Sequence, residues 1–79
     1  MNRAIRVALV EDNTRLRHQL TQLITSSPGF ECAGAYPDAE SALTGLAADV
    51  PDVVLMDIEL PKMSGVNCVA RLKDRLPDL

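Results

Sequence analysis

Apolar residues along this chain fall into short unbroken runs separated by segments of helical period. Ile5-Arg6-Val7-Ala8-Leu9-Val10 is rich in β-branched residues and ends on Glu11-Asp12-Asn13, which predicts a buried strand. From Thr14 the period changes. Leu16, Leu20, Leu23 and Ile24 lie at i, i+4, i+7 and i+8, one face of a helix that Asn13 or Thr14 can cap and Ser26-Ser27-Pro28-Gly29 stops. Phe30 to Tyr36 is a second strand, interrupted by Gly34. Pro37-Asp38 opens a second helix with Ala39, Ala42, Leu43 and Leu46 on one face, and the Asp38 carboxylate can accept from the free amides of its first turn. After a break at Val50-Pro51-Asp52, Val53-Val54-Leu55-Met56 is the most hydrophobic run and ends at Asp57. Ile58 to Met63 is a loop held by Pro61. Ser64-Gly65 leads into a third helix expected to turn Val66, Val69, Ala70 and Leu76 inward, with Pro77 closing it.

The order βαβαβα, with strands apolar throughout rather than alternating, predicts an α/β fold. The expected form is a doubly wound parallel sheet with helices on both faces, joined by right-handed crossovers. No repeat or low-complexity tract interrupts it.

Composition narrows the function. Seventy-nine residues allow one domain, and 8 Lys+Arg against 11 Asp+Glu leave a net charge of −3. That balance argues against nucleic acid or an anionic membrane as the main partner. Phe30 and Tyr36 are the whole aromatic content, too little for a base-stacking platform. Cys32 and Cys68 fit no metal-ligand spacing and read as reduced, buried fillers. Met1-Asn2-Arg3-Ala4 and the charged run behind it make no signal peptide, and no apolar run is long enough to span a bilayer. A cytoplasmic chain is expected.

The chemistry lies in carboxylates. Glu11-Asp12 follows the first strand directly and Asp57 follows the third. In a doubly wound sheet both sites lie at the carboxyl edge, and they face each other if the two strands are neighbours. The second strand ends in Ala35-Tyr36 without an acid, which suits an outer position. Three converging carboxylates repel one another, so either a proton is retained or a cation is held. An all-oxygen donor set without His or thiolate suits Mg²⁺. Such a site serves phosphoryl transfer, and Asp57 is the candidate nucleophile.

These residues resemble the receiver domain of two-component response regulators. Val7-Ala8-Leu9-Val10-Glu11-Asp12-Asn13 is similar to the family's first strand and acidic pair. The segment from Val53 through Asp57-Ile58-Glu59-Leu60-Pro61-Lys62-Met63-Ser64-Gly65 is similar to its phosphoacceptor segment, D-x-x-(L/M)-P-x-(M/L)-x-G. The resemblance covers all 79 residues and implies a flavodoxin-like receiver with strand order 2-1-3-4-5. Residues 1–79 would then be a partial receiver truncated to (βα)₃, with strands 4 and 5 and any output domain outside it. It implies that Asp57 accepts phosphate from a histidine kinase, and that Glu11 and Asp12 hold Mg²⁺ with Asp57 and the Glu59 backbone carbonyl. Pro61 and Gly65 would shape the loop, and the helix beginning near Asn13 would dock the kinase. A helix-turn-helix output acting on transcription is expected, with DNA bound only through that further module.

The family also places a Ser or Thr after its fourth strand and a Lys after its fifth. The two lysines here, Lys62 and Lys73, take neither role, so these 79 residues are expected to bind Mg²⁺ weakly, to accept phosphate poorly and not to switch. The open edge of the third strand is expected to support a homodimer. His18 lies off the apolar stripe and reads as surface. Arg3, Arg6, Arg15 and Arg17 read as solvated or partner-facing, and Met56 and Met63 as core. The chain thus reads as a regulatory phosphoacceptor, not an enzyme. Two alternatives stay open: an aspartyl-phosphate phosphatase or phosphotransferase, for which Glu59 has the right spacing but no cap domain fits, and a non-phosphorylated interaction module.

Overall fold

A computed structural model describes residues 3–79; expectations for Met1 and Asn2 lie outside the described residues. Six elements follow in order: β1 (Ile5–Val10), α1 (Thr14–Ser26), β2 (Phe30–Tyr36), α2 (Ala39–Ala48), β3 (Val53–Met56) and α3 (Gly65–Arg75). The strands form one parallel sheet in the order β2-β1-β3, so β1 is central and β2 is outer. This is the (βα)₃ arrangement expected of a flavodoxin-like sheet, with the first and third strands side by side.

Each helix starts on a side-chain cap, which satisfies an amide that has no partner within the helix. Asn13 Oδ1 accepts from the Leu16 amide at 2.9 Å, Asp38 Oδ1 from Ser41 at 2.8 Å, and Ser64 Oγ from Asn67 at 3.2 Å. Gly34 does not break β2. Instead the ladder with β1 slips there, Val7 facing Cys32 and Ala8 facing Gly34, so that Ala33 is the extra residue of a bulge.

The core has two parts, one on each face of the sheet. Ala8 and Val10 pack with Ala39, Ala42 and Leu46 of α2 and with Cys68 and Leu72 of α3. Val7 and Leu9 pack on the other face against Ile24, with Leu20 and Cys32 at the margin. β1 is therefore apolar on both sides because it is covered on both sides, as its unbroken run predicts.

Three expectations need correction. In α3 the buried residues are Gly65, Cys68 and Leu72; Val66 is 65% exposed, Val69 and Ala70 are exposed, and Leu76 is half-buried. The inward stripe is set by contact with α2 and the sheet. Val66 and Val69 lie to one side of it, lining an open groove of about 220 Å³ with Met56 and Ile58. On the opposite face α1 packs mainly over β2 and β1. Leu16, Leu23, Val53 and Leu55 are left exposed, and a second groove of about 300 Å³ runs between Leu23, Phe30, Val53 and Leu55. The outer edge of β3 has no strand partner among the described residues.

The third correction concerns the cysteines and arginines. Cys68 is buried, and burial pushes its thiol pKa up, so it is a core filler; Cys32 is only half-buried. Arg6 is half-buried and paired with Asp49 at 2.8 Å and Glu31 at 3.2 Å rather than free in solvent. No helix among the described residues is long and apolar enough to cross a membrane.

Candidate functional site

Register alone brings the acids together. Val10 of β1 lies opposite Met56 of β3, so the next residues, Glu11 and Asp57, leave the sheet side by side. The ladder continues one step beyond both strands. The Asp57 amide donates to Val10 O and the Glu11 amide to Tyr36 O, each at 3.0 Å. Adjacent strands are about 4.8 Å apart, and Glu11, Asp12 and Asp57 each present an oxygen within 4.8 Å of the other two. Glu11 and Asp57 are half-buried and Asp12 is exposed.

Two short loops hold these side chains. In the β1–α1 loop the Asn13 amide donates to Glu11 Oε2 at 3.0 Å, and α1 begins two residues after Asp12. The positive end of that helix therefore lies beside the cluster and favours anionic groups there. In the β3–α3 loop the Glu59 amide donates to Asp57 Oδ1 at 3.1 Å, the Gly65 amide donates to Ile58 O at 2.8 Å, and Met63 N closes on Pro61 O at 2.7 Å. Lys62, between those last two, sits at φ +68°, a left-handed conformation uncommon outside glycine. Gly65 is required by space: a Cβ there would fall 1.9 Å from the Asp57 carbonyl oxygen. The start of α3 thus presses on the peptide that carries Asp57.

The electrostatics record the crowding. The Glu11 carboxyl is held above its ordinary value. The Asn13 amide pulls it down, but desolvation, hydrogen bonding with Asp12 and Asp57, and repulsion from Asp57 together outweigh that bond. No ion pair among the described residues involves Glu11, Asp12 or Asp57. An all-carboxylate donor set of this span fits a small hard cation that keeps several waters.

Of the four residues expected at the site, the structure converges Glu11, Asp12 and Asp57. Glu59 is exposed and stays outside that triad; its amide, not its carboxylate, touches Asp57. Sequence reasoning missed Arg17, taken for a surface residue. It is half-buried, and its Nη1 donates to Glu11 O at 2.9 Å. The available signal was its place one turn beyond the Asn13 cap, on the side of α1 facing back along the loop. Lys73, by contrast, donates to Pro77 O and Leu79 O, and so closes the end of α3.

The response regulator receiver domain family matches residues 7–79, and the chain belongs to that family. It is similar to protein-glutamate methylesterase/protein-glutamine glutaminase 2 of Rhodospirillum rubrum, 35% identical over 98% of this chain and 21% of that protein. A Dechloromonas aromatica protein of the same description is 40% identical over 85% of this chain and 19% of its own length. The chain therefore spans about a fifth of these relatives. Among solved structures, the response regulator domain of Thermotoga maritima CheB superposes with a TM-score of 0.89 at 32% identity, covering 95% of this chain and 56% of that one. A LuxR-family two-component response regulator from Aurantimonas gives 0.85 at 28%, covering 91% and 51%.

Proposed function

We propose that this receiver domain is phosphorylated on Asp57 by a histidine kinase, with Mg²⁺ held by Glu11, Asp12 and Asp57 and by the Glu59 backbone carbonyl. The observation that carries this reading is the triad of carboxylate oxygens within 4.8 Å at the carboxyl edge of the sheet, unneutralised by any side-chain cation among the described residues. A bound Mg²⁺ would neutralise charge on the phosphoryl oxygens and bring phosphate and carboxylates together.

The protein's own part is positional. An Asp57 oxygen attacks phosphorus in line; the O–P bond forms as the bond to the kinase imidazole nitrogen breaks, and the imidazole leaves with that electron pair. The Glu59 amide fixes the second Asp57 oxygen by its 3.1 Å hydrogen bond. The tight contact at Gly65 sets the peptide behind it, and the exposed start of α1 offers the surface on which a kinase docks beside Asp57. A kinase partner and Mg²⁺ chemistry fit a cytoplasmic location.

For the output we infer a methylesterase/glutaminase domain in place of the DNA-binding module expected from the sequence, since relatives at 35–40% identity carry that description. The receiver itself is regulatory. The test reads site and cation dependence. Incubation with acetyl phosphate and Mg²⁺ should place one base- and hydroxylamine-labile phosphoryl group on Asp57, seen by mass spectrometry, and none on Asp57→Asn or with EDTA. Labelling at another residue, or labelling indifferent to EDTA, would sink the reading.

A further inference from the structure

We propose that Arg17 is a positioning residue for the acidic site: its guanidinium clamps the backbone of the β1–α1 loop, so that Glu11 and Asp12 face Asp57 while their carboxylates stay free for a cation. The proposal rests on the Mg²⁺ reading above and adds a residue to it.

Glu11 and Asp12 leave β1 where the sheet ladder ends, and their mutual repulsion with Asp57 works to push the loop outward. Something must hold it. Arg17 Nη1 donates to Glu11 O at 2.9 Å and reaches Asp12 O at 3.5 Å, the second contact being weak. The clamp is itself fixed. The Arg17 amide donates to Asn13 O at 2.8 Å, and Arg17 O accepts from Thr21 Oγ1 at 2.8 Å. Arg17 is half-buried, whereas Arg15 on the same helix is exposed.

The choice of acceptor is what distinguishes this arginine. Arg6 gives its guanidinium to the carboxylates of Asp49 and Glu31 as well as to Val50 O, and so is neutralised by acids, whereas Arg17 has no carboxylate partner among the described residues. Arg17 bonds to carbonyl oxygens, which brings one positive charge to the loop without occupying a ligand oxygen. Among the described residues it is the one cationic side chain hydrogen-bonded to the segment that carries Glu11 and Asp12. Both contacts come from the one nitrogen Nη1, and a lysine ammonium, more strongly hydrated and on a shorter stem, is a poorer substitute there.

The test compares Arg17→Met, Arg17→Lys and the control Arg15→Met in the 79-residue chain. Two readouts are taken: Mg²⁺ affinity by calorimetry, and amide hydrogen exchange of Asp12 and Asn13 in cation-free buffer. Arg17→Met should weaken Mg²⁺ binding about 10-fold, the usual scale for groups that orient metal ligands, and speed exchange at both amides. Arg17→Lys should weaken it about 3-fold, keeping the charge but placing a more strongly hydrated donor on a shorter stem. Arg15→Met should do neither. A merely structural role would lower the urea midpoint while leaving the affinity of the folded protein and the local exchange unchanged, and that result overturns the proposal. Should Arg17→Met fail to fold, native-like affinity in Arg17→Lys overturns it instead. If the native chain itself shows no Mg²⁺ binding, the reading of the site falls and the clamp with it; native binding matched by Arg17→Met removes the clamp alone.

Discussion

At the start of β1, Arg6 lies between Asp49 and Glu31, its amide and carbonyl bonded at 2.8 Å to the side chain and amide of Asp52, which also binds Arg3. At the other end of the same strand, the carboxylates of Glu11, Asp12 and Asp57 have, among the described residues, only one another and the amides of Asn13 and Glu59. The carboxyls of Asp49 and Asp52 are lowered, by the Arg6 side chain and the Arg6 amide respectively. Glu11 is raised. The same residue type thus locks the β1–β3 register at one pole and leaves a standing demand for a cation at the other. Charge that is satisfied reads as architecture, and charge that is not reads as function.

The largest effect expected follows from the tightest contact. Gly65→Ala puts a Cβ 1.9 Å from the Asp57 carbonyl, so either α3 or the Asp57 peptide must move. Overpacking of this kind costs about 1–3 kcal/mol. Urea unfolding should show that loss, and Mg²⁺ affinity should fall with it because the displaced peptide carries Asp57, a ligand in the proposed site. Unchanged stability with unchanged affinity would mean the contact is relieved without disturbing the acidic pole.

Substitutions at the two poles should act in opposite directions on cation-free stability. Glu11→Gln removes repulsion and should raise the urea midpoint without cation, while weakening Mg²⁺ binding by about 10-fold. Asp52→Ala removes the acceptor of Arg3 and of the Arg6 amide, so the midpoint should drop with Mg²⁺ affinity unaltered. The contrast between the poles fails if both variants move stability the same way.

The dependence on pH separates the poles again. Asp49 and Asp52 hold protons less readily in the folded state than in the unfolded chain, so stability should fall as pH drops below the ordinary carboxylate range. Glu11 holds its proton more readily when folded, so without cation stability should also fall as pH rises through its raised value. Urea midpoints between about pH 3 and about pH 7 should therefore pass through a maximum. Mg²⁺ should abolish the decline on the neutral side only, and Glu11→Gln should do the same without cation.

Much of this was legible in the residues. The unbroken run of β1, the caps at Asn13 and Asp38, and the acids that follow β1 and β3 each rest on a local rule, and the strand bounds Phe30–Tyr36 and Val53–Met56 emerged from run length and breakers. Long-range packing was not legible. Helical period places Val66 and Val69 on an apolar stripe, but which part of a stripe turns inward depends on α2 and the sheet, and contact selected Gly65, Cys68 and Leu72. Arg17 and Arg6 escaped for a similar reason. An arginine's partners are set by where the backbone of distant segments passes, and its composition-level reading is always solvent.

The smallest effect expected lies at the head of α3. Ser64 Oγ accepts from the Asn67 amide at 3.2 Å, a longer bond than that of Asn13 or Asp38 at the other helices. Ser64→Ala should cost about 1 kcal/mol, in the ordinary range for an N-cap. The cap lies next to Gly65, whose amide holds Ile58 O, so any fraying is positioned to loosen the β3–α3 loop rather than the arginine pole. Hydrogen exchange should accordingly speed up at Gly65 and Asn67 and stay unchanged at Arg6 and Asp52. Equal acceleration at all four would show that the two poles share one cooperative unit, and that their opposite electrostatics do not divide the molecule's local stability.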